Sequence, residues 1–162
     1  MNAEEIYALL ERSSVPYERT EHPAVYHMAE MEALVLPYPE AEAKNLLVRD
    51  DKRQQYYLLV VKGDRRVDWK AFRRQHQTRP LSFASEAELM QCLGLTSGSV
   101  TPFGVLNDTG HRVTVFLDDY FAQPPGRIGV HPNTNTATVW LSSEDLVRVL
   151  HEHGAEVEWV TL

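Results

Sequence analysis

Hydrophobic positions recur at helical spacing near the start of the chain, where Ile6, Leu9 and Leu10 form one face with Ser13 at its edge. Asn2 followed three residues later by Glu5 reads as a capping box, so the pattern predicts a helix through about Arg12. A short strand is expected over 16–20. A second helix is expected over 28–34, stopped by Pro37 and Pro39. Two strands, 44–49 and 55–62, flank the polar turn Asp50-Asp51-Lys52-Arg53. In the second strand Tyr57, Leu59 and Val61 alternate with Tyr56, Leu58 and Val60, so both faces are apolar and a central strand covered on both sides is predicted. Asp68 is placed to cap a helix through about Gln75, and Ser85 with Glu88 opens another that ends at Gly94. Strands are expected at 105–106, 112–117, 127–130 and 136–141. A last helix follows from a Ser142 or Ser143 cap to His153, with Gly154 as its left-handed stop, and a strand over 155–161 closes the chain. Strands and helices mix without regular βαβ alternation, which predicts an α+β fold around a mixed sheet.

Composition narrows the class. The 162 residues fit one domain, 1–162, with no repeat or flexible linker to divide it. Apolar residues make up 43% and charged residues 24%, as in an ordinary globular protein. The longest apolar run, 56–61, is far short of the roughly 20 residues that span a bilayer. The acidic opening Met1-Asn2-Ala3-Glu4-Glu5 is unlike a secretion signal. One cysteine forms no internal disulfide and suits a reducing compartment, so a cytoplasmic protein with no membrane partner is expected.

A net charge of −7 argues against general nucleic-acid binding. The distribution changes that picture. Lys62, Arg65, Arg66, Lys70, Arg73, Arg74 and Arg79 are opposed only by Asp64 and Asp68, a local charge of +5. Such a segment is either a solvated helix face or a local polyanion contact on an acidic body.

Covalent chemistry finds no support. Cys92 shares an apolar helix face with Leu89 and Leu93 and reads as a structural thiol, and no Gly-x-Ser-x-Gly elbow is present. The pairs His22/His27 and His151/His153 lack metal-site spacing, and no glycine-rich phosphate loop follows a strand. Three segments carry other chemistry. Lys44 and Asn45 open an otherwise apolar strand, where a lysine is either solvated or held over a cleft to meet negative charge. Gly98, Ser99, Val100, Thr101 and Pro102 form either a connector or a loop presenting backbone N–H groups. Gly129, Val130, His131 and Pro132, with Asn133, Thr134, Asn135 and Thr136, form a turn rich in small polar groups suited to hydroxyl recognition.

Taken in order, Lys44-Asn45-Leu46, the 98–102 loop, Gly129-Val130-His131-Pro132 and Asn135-Thr136-Ala137-Thr138 resemble the prolyl-tRNA editing family, also called the YbaK/prolyl-tRNA-synthetase-associated domain family. Within it the chain is most similar to the free-standing ProX-type deacylases, over essentially its whole length. The resemblance implies a compact α+β domain with a mixed, partly barrel-like sheet. It implies hydrolysis of mischarged tRNA in trans, most typically alanine on proline tRNA, with no metal or organic cofactor. Its partners would be the tRNA acceptor end and a prolyl-tRNA synthetase. Lys44 would be the principal catalytic residue, assisted by Asn45. Gly98, Ser99, Thr101, Pro102, Gly129, His131 and Asn135 would bind the aminoacyl end, and whether His131 or the substrate's own 2′-hydroxyl moves the proton stays open. Lys62, Arg65, Arg66, Lys70, Arg73 and Arg74 become expected tRNA contacts. A small apolar pocket would exclude proline more easily than alanine, and Val25, Met28, Met31 and Leu34 are its expected walls. The alternatives are the same reaction on a cysteinyl or seryl ester, and a noncatalytic module that binds tRNA or a synthetase.

Overall fold

The computed structural model describes residues 1–25, 29–30 and 34–162. Helix α1 (Ala3–Arg12) begins at the predicted capping box, with the Asn2 side chain accepting from Glu5 N–H and Glu5 reaching back to Asn2 N–H. Its inner face is Ile6, Leu9 and Leu10, widened by Tyr7. Strand β1 (Tyr17–Glu21) follows. The expected 28–34 helix lies mostly outside the described residues.

Strands β2 (Ala43–Asp50) and β3 (Tyr56–Lys62) form the predicted antiparallel pair, with Lys44 opposite Val61. Helix α2 (Trp69–His76) starts where the Asp68 side chain accepts from Ala71 N–H. Strand β4 (Leu81–Phe83), which the sequence pattern does not reveal, adds three residues to the free edge of β2. Helix α3 (Glu86–Leu93) opens at the Ser85/Glu88 box and stops at Gly94 with φ +67°. The strand expected at 105–106 is absent: Pro102–Asn107 is a 3₁₀ helix instead. Pro102 sits in its first turn, and the Thr101 carbonyl accepts from Gly104 N–H, which winds the segment before it can extend. Strands β5 (Val113–Asp118), β6 (Arg127–Val130) and β7 (Ala137–Ser142) come next. Helix α4 (Ser143–Glu152) is capped by Ser142, and β8 (Glu156–Val160) ends the fold.

The strands divide between two sheets. One is mixed, in the order β4-β2-β3-β5-β8, antiparallel through β2 and parallel from β3 to β8. The other is antiparallel, in the order β1-β7-β6. The architecture is α+β as expected, but the two sheets do not close into a barrel among the described residues. A parallel β-bridge between Glu42 and Gly129 joins their backbones.

Burial explains the arrangement. Leu58 and Val60 of β3 point into the main core with Ile128, Val130, Val139 and Leu141 of the second sheet, Leu93 of α3 and Leu146 of α4. Leu59 and Val61 point the other way, where Phe72 of α2 and Phe116 of β5 cover them. Strand β3 is therefore buried on both faces, which accounts for its uninterrupted apolar run. The basic helix is thus anchored by buried Phe72 with half-buried Trp69 packed beside it.

Candidate functional site

A cleft of about 220 Å³ opens where the two sheets meet. The start of β2 contributes Glu42, Ala43, Lys44, Asn45 and Leu46. The end of β6 contributes Gly129, Val130 and His131, and the loop before the 3₁₀ helix contributes Ser97, Gly98 and Val100. Val25 and Thr138 complete the wall. Segments more than 80 residues apart in the chain, each singled out in the sequence, therefore share one concavity.

Lys44 is half-buried and forms no salt bridge among the described residues. Burial lowers the pKa of its ammonium, Asp64 opposes that effect and Arg66 adds to it. A cation already stripped of part of its water attracts an incoming anion more strongly than a solvated one. Beside it, the Asn45 side-chain oxygen is buried without a hydrogen-bond partner among the described residues. That leaves an acceptor in the cleft wall for a donor from outside.

His131 donates from Nδ1 to the Ala137 carbonyl at 2.8 Å, since a carbonyl can only accept. In the neutral ring Nε2 is then the bare nitrogen. Burial lowers the His131 pKa, the Ala137 contact opposes this and the nearby His22 reinforces it. The ring is thus held in a form able to take a proton.

Several expected binding residues build the wall from behind. Thr101 is fully buried, and its hydroxyl donates to the His131 carbonyl at 2.5 Å. Pro102 and Ser99 are buried in the short helical turns that shape the loop. Asn135 donates its amide to the Val25 carbonyl and accepts at its own carbonyl from Val25 N–H, fixing a cleft residue in place. Gly129 is required by packing: a Cβ there would lie 2.3 Å from Cζ3 of Trp140, its cross-strand partner. Val25 lines the cleft as expected and Leu34 does not figure among its lining residues, whereas Met28 and Met31 lie outside the described residues. Cys92 is 1% exposed, and burial pushes its thiol pKa up, as a structural cysteine requires.

The basic segment divides by exposure. Arg66, Lys70 and Arg74 are exposed, while Arg73 is half-buried. Arg65 contacts fully buried Asp118 at 3.4 Å and donates to the Leu162 carbonyl, so it serves the fold. Lys62 pairs with Asp64 and lies 5.0 Å over the Tyr120 ring. The charge of Arg66 adds to the lowering of the Lys44 pKa.

Sequence patterns missed Glu42, Ser97 and Thr138 as lining residues. Thr138 ended a recognised polar run but alternates as an ordinary strand residue, and only the fold shows which way it points.

The family model for the aminoacyl-tRNA editing domain matches residues 22–149. The prolyl-tRNA editing protein ProX of Acetoanaerobium sticklandii is 40% identical over 151 residues, covering 92% of this chain and 90% of that protein. Prolyl-tRNA synthetase associated domain-containing protein 1 of Bos taurus is 31% identical, with 95% and 94% covered. A solved structure described as a candidate trans-editing enzyme for prolyl tRNA synthetase shares the fold, with a TM-score of 0.67 at 22% identity over 99% of this chain and 96% of its own. With the model spanning most of the chain and the residues of its cleft drawn from the same segments that carried the resemblance, this protein belongs to the aminoacyl-tRNA editing domain family.

Proposed function

We propose that the protein is a trans-acting deacylase that hydrolyses mischarged proline tRNA, with alanine as the amino acid removed. The observation that carries this reading is the convergence of Lys44, the Gly98 loop and His131 on one small cleft. The editing function borne in the name of the ProX relative supports it.

An aminoacyl ester is already activated, so no protein nucleophile is needed. Water attacks the carbonyl carbon, the bond to the ribose oxygen breaks, and that oxygen leaves with a proton. In this reading the Lys44 ammonium meets the negative charge of the terminal nucleotide or of the developing oxyanion. Asn45 orients the same end of the substrate. The bare Nε2 of His131 is suited to take the proton of the attacking water, in competition with the substrate's 2′-hydroxyl. Val25, Leu46 and Val100 give the cleft an apolar side fit for a methyl group. A site built for a methyl excludes the larger proline ring by contact, the direction in which a second sieve is effective. Arg66, Lys70, Arg73 and Arg74 hold the acceptor stem in this account, and a prolyl-tRNA synthetase supplies the mischarged product. Among the described residues no helix is long and apolar enough to cross a membrane. The reading puts the whole chain, 1–162, to work as one editing domain in the cytoplasm with the tRNA pool.

The test is a comparison of alanyl, seryl, cysteinyl and prolyl esters of proline tRNA as substrates of the purified protein. Alanine should be released fastest and proline left attached. A preference for cysteine or serine would move the specificity, and saturable tRNA binding without hydrolysis of any ester would make the protein a binding module.

A further inference from the structure

His22 follows β1 and packs behind the cleft wall. Its Nδ1 lies 2.9 Å from the Pro23 carbonyl, and its Nε2 lies 2.9 Å from Oγ1 of Thr138. The carbonyl can only accept, so Nδ1 carries the hydrogen and, in the neutral ring, Nε2 holds a bare lone pair. The Thr138 hydroxyl must then donate to His22. Its oxygen is left with lone pairs alone for any other partner. Thr138 is 1% exposed and lines the cleft, so toward any donor that reaches it from that side the oxygen serves as an acceptor. His131, which lines the same cleft, stands with its ring centroid 5.9 Å from that of His22 at 66° between planes.

We infer that His22 is a positioning residue that turns the Thr138 hydroxyl into a dedicated hydrogen-bond acceptor for an N–H or O–H donor at the aminoacyl-ribose end of the substrate. This rests on the deacylase reading and deepens it. The end of an aminoacyl-tRNA carries two such donors, the α-ammonium and the 2′-hydroxyl. Donor and acceptor need each other: with His22 absent, the hydroxyl turns freely and competes for the cleft as a donor itself. The charged groups around the pair are Glu4 and Glu21, which line a second cavity with His22, and Glu42 and Lys44 across the cleft. Replacing Thr138 changes none of them, so a Thr138 variant isolates the hydroxyl.

Two readouts test this: single-turnover deacylation of alanyl-tRNA for proline, and calorimetric binding of the amide analogue 3′-alanylamino-3′-deoxyadenosine. Thr138→Val should slow hydrolysis about tenfold, the effect of losing one hydrogen bond to substrate. Thr138→Ser should stay within about threefold of wild type. His22→Ala should match Thr138→Val, and the double variant should be no worse than either, because the two act as one unit. His22→Gln, whose amide oxygen can accept from Thr138, should retain most of the rate. A propionyl ester, which has no α-amino group, and a 2′-deoxy terminal adenosine then identify the donor. The one that lacks it should react with wild type no faster than with Thr138→Val. Amide binding should weaken in Thr138→Val if the donor is the α-ammonium or the 2′-hydroxyl, both of which the analogue retains. A Thr138→Val rate and affinity within twofold of wild type would overturn the inference while leaving the deacylase reading intact, as would failure of Thr138→Ser to restore activity or losses that multiply in the double variant. Absence of both hydrolysis and analogue binding in the wild type would remove the deacylase reading and this inference with it.

Discussion

Glu88 offers a sharp test of the electrostatics that hold the sheet to α3. Its carboxylate accepts from Tyr56 OH at 2.9 Å and from Ser85 N–H at 3.1 Å, and Arg49 Nε lies 3.3 Å away. Burial alone would raise its pKa. The Ser85 and Tyr56 hydrogen bonds and the Arg49 charge outweigh that and bring it down from 4.5 to about 2. A carboxyl whose pKa is depressed in the folded state adds stability above its unfolded value and loses it as pH falls through the folded one. The shift corresponds to about 3 kcal/mol at pH 7 and to only about 1 kcal/mol at pH 3. Urea unfolding of wild type and Glu88→Gln across this range measures the difference directly. The stability advantage of the wild type should shrink by about 2 kcal/mol between pH 7 and pH 3. A difference between the two proteins that stays constant over that interval would refute the assignment of this depressed pKa to Glu88.

The other predictions concern packing and charge. Gly129→Ala places a methyl 2.3 Å from a ring carbon of Trp140, which is 2% exposed and tied through its N–H to Thr20, so the strand or ring must shift. Overpacking of this kind costs about 1–3 kcal/mol, to be read as a fall in melting temperature; an unchanged melt would show that Trp140 has room to move. Reversing the exposed Arg66 and Arg74 should weaken tRNA binding and flatten its dependence on salt. A filter-binding titration with an unaltered salt slope would remove that surface from the tRNA interface. Arg65→Glu should instead lower stability by about 2 kcal/mol, since it sets a carboxylate against fully buried Asp118; unfolding at the wild-type denaturant midpoint would contradict this.

Local signals were legible because they act over a few residues. The boxes at Asn2/Glu5 and Ser85/Glu88 and the Asp68 cap set helix starts with their own side chains. The double-sided apolar run of β3 announced its central place. The site was legible to the extent that its parts are short motifs, although 80 residues of intervening chain concealed that they meet. Long-range pairing stayed hidden. Three residues of β4 gain their identity only from the edge of β2, and the segment after Pro102 has strand-forming residues that Thr101 and Pro102 wind into a 3₁₀ helix. The division into two sheets depends on which strands pair, which no local pattern records. The roles of Thr101, Asn135 and Thr138 followed from their tertiary partners: two bond distant backbone carbonyls and hold the wall, and one lines the cleft.

The most direct measurement is single-turnover deacylation of alanyl-tRNA for proline by wild type and Lys44→Ala side by side. A half-buried ammonium with no salt bridge among the described residues, set in the cleft wall, should supply much of the charge stabilisation. Its removal should therefore slow hydrolysis by roughly 10²–10³-fold. Rapid loss of alanine with the wild type and near-background loss with the variant is the predicted result. Equal loss with both proteins, at background or above it, would contradict the assignment of the chemistry to this cleft.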